Sequence, residues 1–278
     1  MENLRLGAGN AVITGATTSG HSPICKTKIH CADYNHFLPG TGLSVAIAFA
    51  EHGCEQIFLG DSTLEGLDDH RKTIQKRYPS ANVHIQEFDR SDEESVDQFF
   101  SKVKATLKRI DFAVNVVSQA QEPELPAAHS VSGFDHNFRV YQRGAFLIQR
   151  GLLRQMVTQE VPVGGDTRGS IVNVVDYGPT PTLADIPIVA AVAFAIIGFS
   201  KTDACDYAPD RIRVNCIAAS EVMIKKYKPE LPGGVPLPKK GIPDDVASTA
   251  IWLSSPGASW LTGLVVPVDG GRSLHHWW

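Results

Sequence analysis

Residues 169–218 hold the pattern on which the fold turns: GSIVNVV (169–175), then DIPIVAAVAFAIIGFSKT (185–202), then RIRVNCIA (211–218). The two flanking runs are short, continuous and rich in valine and isoleucine, which is how strands buried on both faces read. The segment between them is long and apolar, as a crossover helix should be. A strand, a helix and a second strand in that order make a βαβ unit with parallel strands.

The alternation continues upstream. NAVITG (10–15), CEQIFLGD (54–61), NVHIQEFD (82–89) and DFAVNVVS (111–118) read as strands. LSVAIAFAEHG (43–53), STLEGLDDHRKTIQKRY (62–78), DEESVDQFFSKVKATL (92–107) and FRVYQRGAFLIQRGLLRQMV (138–157) read as helices between them. The pattern predicts one α/β domain over 1–278, a Rossmann-like, doubly wound parallel sheet. Two stretches break the rhythm. Residues 19–40, SGHSPICKTKIHCADYNHFLPG, form an insertion in the first βα loop, and the Pro/Gly/Lys-rich 225–243 reads as a mobile substrate loop. Residues 272–278 end in an aromatic tail, HHWW.

Composition narrows the class of function. With 43% hydrophobic residues, 20% charged and a formal net charge of −4, the chain has no basic field to hold a nucleic acid. No apolar run approaches the roughly 20 residues that span a bilayer, and the N-terminus lacks the build of a signal peptide, so no membrane association and a cytoplasmic location are expected. The five cysteines are scattered and odd in number, which predicts free thiols. His21, Cys25, His30, Cys31 and His36 crowd the insertion, but their spacing matches no common zinc pattern and no metal is expected.

A strand ending in ITG and leading through glycines into a helix is a nucleotide-binding arrangement: small residues admit the pyrophosphate, and the helix N-terminus offers N–H donors. Here TGATT (14–18) and GTGLSVAIAFAEHG (40–53) are the two halves of such a motif, parted by the insertion. Gly15, Thr17, Gly40 and Gly42 become its loop residues, with Gly20 in place of Gly40 if the break falls later. With the insertion set aside, Asp61 lies near the roughly 20-residue distance at which an acidic residue meets the adenosine ribose. Its charge favours NAD(H) over a 2′-phosphorylated dinucleotide.

These motifs resemble the TGxxxGxG of the short-chain dehydrogenase/reductases. The resemblance is strengthened by YAPDRIRVNCIA (207–218), GIPDDVASTAIWLSSPGASWLTGLVVPVDGG (241–271) and DFAVNVVS, which keeps Asn115 of the family's Asn-Asn-Ala-Gly. It implies that Asp89 meets the adenine, that Asn115 belongs to the cofactor site, and that the chain is a dimer or tetramer. It also locates four departures. The family's catalytic tyrosine and lysine fall on Val189 and Ala193, its serine on Asp176 and its asparagine on Tyr141.

Ketone reduction needs an acid to quench the developing alkoxide, so loss of the Tyr/Lys pair argues against it. Two carboxylates, Asp176 and Asp185, are instead expected at the nicotinamide pocket, where they would attract a cation. An iminium ion accepts hydride with no proton. The pattern is similar to the fungal reductase/Diels–Alderases of the malbrancheamide and paraherquamide type. That likeness implies a prenylated cyclic-dipeptide substrate, NADPH, an intramolecular [4+2] cyclisation to a bicyclo[2.2.2]diazaoctane, and a catalytic Asp/Arg pair matched by Asp185 and Arg150. NADPH conflicts with Asp61, so both NADP(H) and NAD(H) stay open. So do a cofactor-free cyclase and a non-catalytic partner subunit. Arg139 and Arg143 could face the pocket or solvent, Ile224 takes a place where the family often has a cofactor-touching threonine, and Trp277 and Trp278 could close over an indole.

Overall fold

The computed structural model describes residues 6, 9–17, 40–118, 125–176, 186–220 and 236–274. In chain order these form β1 (Asn10–Thr14), α1 (Thr41–Glu51), β2 (Gln56–Asp61), α2 (Leu64–Arg77), β3 (Asn82–Glu87), α3 (Glu93–Leu107), β4 (Phe112–Val117), α4 (Val131–Asn137), α5 (Gly144–Met156), β5 (Gly169–Asp176), α6 (Pro187–Asp206), β6 (Ile212–Ala219), α7 (Pro243–Ser254) and β7 (Val265–Val268). The strands make one sheet in the order β3-β2-β1-β4-β5-β6-β7, and every adjacent pair is parallel. This is the doubly wound sheet that the alternation predicts.

Both faces of the sheet are covered, which is why its strands read as unbroken apolar runs. Ile13, Leu59, Val114, Val172 and Ile217 bury into one cluster with Val45 and Phe49 of α1 and Val246 and Ile251 of α7. Their neighbours Val12, Phe58, Ala113, Ile171 and Val214 bury into the other, with Phe99 of α3 and Ile148 and Leu152 of α5. Strand order reverses between β1 and β4, so the crevice beyond their carboxyl ends is where such a sheet binds ligands.

Two expectations are modified. By length and composition alone α6 is apolar enough to cross a bilayer, contrary to the sequence reading. Half of it is nevertheless buried, with Ile188, Val192, Ala193, Ile196 and Ile197 packed on Val175 of β5 and Cys216 of β6. The presumed mobile loop is partly anchored: Leu237 N donates to Gly270 O at 3.0 Å, Lys239 pairs with Asp245 at 2.5 Å, and Pro243 already begins α7. Residues 225–235 lie outside the described residues. Of the cysteines, Cys54, Cys205 and Cys216 are free, as expected. Burial pushes Cys54 up to about 12 and Cys216 up to about 11, so neither is a nucleophile at neutral pH.

Arg213 is 6% exposed and meets no carboxylate among the described residues; it donates to the carbonyls of Leu253 (2.7 Å), Ser254 (3.3 Å) and Leu261 (3.3 Å). Two of these carbonyls end α7, where a cation offsets the helix dipole.

Candidate cofactor cleft and active site

The two halves of the glycine motif come together. Gly15 and Gly40 both have positive φ, +71° and +74°, a backbone that glycine adopts without strain. A Cβ placed on Gly42 would lie 2.6 Å from Gly15 O and 2.6 Å from Ala16 Cα. The chain therefore returns after the insertion to the turn it left, bringing Gly15, Gly40 and Gly42 together; Gly20, the alternative to Gly40, lies outside the described residues. Among the described residues no side chain caps α1, and its first turn has no acidic residue, which leaves its N–H groups for a ligand at Gly40. Thr41 is fully buried and its Oγ1 has no partner among the described residues. These features fit a pyrophosphate at the start of α1.

The expected ribose end centres on Asp61, the last residue of β2. Its Oδ2 accepts from Thr17 N at 2.8 Å and its Oδ1 from Ser62 N at 2.6 Å, while Thr17 Oγ1 and Thr63 Oγ1 are 3.2 Å apart. Thr17 thus holds the carboxylate from the first βα turn. Asp89, just past β3, accepts from Ser91 N at 2.8 Å and is exposed at the cleft edge. His70 of α2 is mostly buried, and that burial holds its ring below the usual histidine range.

Asn115 departs from its expected role. It is fully buried, accepts from Thr14 Oγ1 at 2.8 Å and donates to Asn173 Oδ1 at 3.1 Å. Asn173 in turn donates to Gln149 Oε1 (3.1 Å) and Ser200 Oγ (2.9 Å). Its amide is used within the sheet, tying β1 to β4 and β5, and does not reach out to a cofactor.

At the carboxyl ends of β4 and β5, Val117, Val175, Asp176, Val189, Val192, Ala193 and Ile196 line a small crevice, part of it open to solvent, with about 10 Å³ of free space. The places that the resemblance assigns to serine, tyrosine and lysine are therefore brought together as Asp176, Val189 and Ala193, each 2% exposed. Among the described residues that line it, Asp176 is the sole ionisable group on an otherwise aliphatic wall. Tyr141 packs against the same apolar cluster from a π-helical segment, Phe138–Arg143, that joins α4 to α5. Wide turns of this kind are frequent at functional sites.

Arg150 is corrected. Its Nη2 donates to Glu93 Oε1 at 2.6 Å, lies 3.9 Å from Asp97, and its guanidinium sits 6.0 Å from the Phe146 ring. It faces α3, away from the crevice. Nine residues at about 100° each carry a side chain to the opposite helix face from Tyr141. Arg143 likewise turns to α3, donating to Ser91 O at 2.7 Å, and Arg139 is exposed. Asp185, Ile224, Trp277 and Trp278 lie outside the described residues.

Arg90 escaped the sequence reading. Its Nη2 would lie 3.2 Å from a Cβ on Gly15, and its Cγ and Cδ would lie 3.1 and 3.2 Å from one on Gly144. Only the bare surface of those two glycines makes room for it, a signal no motif carries.

Known proteins match this architecture. A family model described as enoyl-(acyl carrier protein) reductase matches residues 38–273, beginning where the chain rejoins the glycine turn. The chain is 34% identical over 255 residues to short-chain dehydrogenase srdC of Neurospora crassa, covering 84% of this chain and 94% of that protein. Levodione reductase superposes with a TM-score of 0.80 at 24% identity over 98% of this chain and all of its own. The 3-ketoacyl-(acyl-carrier-protein) reductase of Brucella melitensis, solved with NADH, gives 0.78 at 24% identity over 96% and 99% of the two chains. With this sheet, this glycine turn and these relatives, the chain belongs to the short-chain dehydrogenase/reductase family.

Proposed function

We propose that the chain is a nicotinamide-dependent reductase of a cationic C=N acceptor, an iminium ion. The observation that carries this reading is Asp176: a carboxylate on the aliphatic wall where the family's proton-donating pair has given way to Val189 and Ala193. The joined glycine turn favours a bound dinucleotide over the cofactor-free alternative. Such a cofactor supplies the hydride.

The residues then have distinct tasks. Val117, Val175, Val189 and Ala193 exclude water from the reacting carbon. Asp176 attracts and orients the cation, and repels the oxyanion that a ketone would develop. Hydride addition to the iminium carbon gives a neutral amine, so no acid is needed. Because the substrate's charge disappears along the reaction, the carboxylate stabilises the bound substrate more than the transition state. In the finer form of the proposal, Asp185 adds a second carboxylate and the substrate is a prenylated cyclic dipeptide. The reduced intermediate would be held there as a near-attack conformer for intramolecular [4+2] closure.

The test follows NADPH and NADH oxidation with a preformed cyclic iminium salt and with the matching ketone. Turnover of the iminium salt alone is expected. A charge-assisted contact of about 1.5–3 kcal/mol implies that Asp176→Asn raises KM by roughly tenfold or more with kcat changed only a few-fold. Equal turnover of the ketone, or an unchanged KM in Asp176→Asn, overturns the reading. The cyclisation is tested by the enantiomeric excess of the cycloadduct, which is zero if the protein does not template it.

A further inference from the structure

We infer that the ring of Tyr141 is a second wall of the cation site that Asp176 opens, and that it selects the substrate by its charge. The inference rests on the iminium reading above. Tyr141 is half-buried and packs on a cluster that contains Val117, Val175, Val192, Ala193 and Ile196. These same five residues line the crevice beside Asp176. The ring and the carboxylate thus share one aliphatic wall.

Three features hold the ring there. Ala193 stands where the resemblance expects a lysine, so its methyl leaves room on this wall, while Tyr141 is larger than the asparagine whose place it takes. The segment that carries it, Phe138–Arg143, packs on α6, the helix of Val189 and Ala193. Both ends of that segment are tied: Phe138 stacks on Phe134 with ring centroids 4.2 Å apart, and Arg143 donates to Ser91 O at 2.7 Å. The π-helical turn between them forgoes regular α-helical bonding, as is frequent where a helix serves a site.

An aromatic face attracts a cation within about 6 Å of its centre, most strongly where water is excluded. Asp176 holds the charge of an iminium ion from one side, and the ring accepts its flat, partly apolar body from another. A ketone of the same shape gains neither attraction. The ring is neutral, so it adds affinity for the cation without burying a second charge.

The experiment is a calorimetric titration of the full chain with the preformed cyclic iminium salt and with the matching ketone. Excess NAD+ and NADP+ are present, so binding is read without hydride transfer. Wild type, Tyr141→Leu and Tyr141→Phe are compared, and the thermal unfolding midpoint checks that the fold is retained; Tyr141→Met, unbranched and flexible, replaces the leucine variant if that one unfolds. Wild type should bind the iminium salt at least tenfold more tightly than the ketone. Tyr141→Leu should weaken the salt by about five- to thirtyfold and the ketone less than threefold, and Tyr141→Phe, which keeps the ring face, should recover most of the loss. Equal weakening of salt and ketone would show packing alone and overturns the inference. Unchanged binding of the salt in Tyr141→Leu also overturns it, as does a loss in Tyr141→Phe as large as in Tyr141→Leu. In each of these cases the wild-type preference for the cation leaves the iminium reading intact. Wild type that binds salt and ketone alike, or neither, overturns both.

Discussion

Gly42 rests directly on Gly15: a Cβ on the first would stand 2.6 Å from the carbonyl oxygen of the second. The colliding atoms are backbone atoms of a turn fixed by β1, so nothing flexible can move aside. Gly42→Ala should therefore lift α1 from the turn. The expected cost is about 1–3 kcal/mol of stability, as for overpacking elsewhere, with at least a tenfold loss of cofactor affinity. Denaturant unfolding and a cofactor titration measure the two effects, and an unchanged affinity would show that the turn does not hold the pyrophosphate.

Because the chain leaves at Thr17 and returns at Gly40, deleting residues 19–39 should be tolerated. The junction would read TGATTGTG, with Gly15, Gly40 and Gly42 at the spacing that the family uses. Closing a loop of some twenty residues costs more entropy than closing one of three, by roughly 2 kcal/mol over three doublings of length. The shortened chain should unfold at a temperature equal to or above that of the full chain and bind the cofactor at least as well. A shortened chain that no longer folds would show that the insertion is part of the packed structure.

The strands were legible because burial on two faces leaves a plain signal, an unbroken Val/Ile run, and Val12 and Ile13 sit on opposite faces of one sheet. The glycine turn was legible as two halves, although only the close approach of Gly42 to Ala16 shows that the halves meet. Asp176, Val189 and Ala193 were legible through fixed spacing along one strand and one helix. Arg150 was misplaced because assigning it to the pocket required knowing which face of α5 meets α3, where Glu93 pairs with it. Asn115 misled for a related reason: a buried amide and a ligand-facing one occupy adjacent places on a strand and look alike in sequence.

Asn115 is one link in a chain of buried bonds. Thr14 donates to it, it donates to Asn173, Asn173 donates to Gln149 and Ser200, and Gln149 donates to Asp203 at 3.1 Å. Asn115→Ala would leave Thr14 Oγ1 and Asn173 Oδ1 without that partner. At about 1–3 kcal/mol for each of the two buried groups left unsatisfied, the variant should lose roughly 2–6 kcal/mol. Its affinity for the cofactor should stay within about twofold of wild type. The reverse pattern, weakened binding at full stability, would return Asn115 to the cofactor site.

His70 links the cleft to pH. Burial, the largest influence, lowers its pKa below the ordinary 6.5, while the charges of Asp61 and Asp69 pull the other way; its Nδ1 is buried with no partner among the described residues. The unfolded chain therefore binds a proton at a pH where the folded ring remains neutral. Stability contributed by the neutral ring is fully present above pH 6.5 and is lost as pH falls from there through the lowered pKa of the folded state. His84, also lowered by burial, acts in the same direction. His70→Gln removes only the first contribution, so its stability should decline less steeply than that of wild type between pH 6.5 and 5. Parallel declines, measured by denaturant unfolding across that range, would show that His70 is protonated as readily in the fold as out of it.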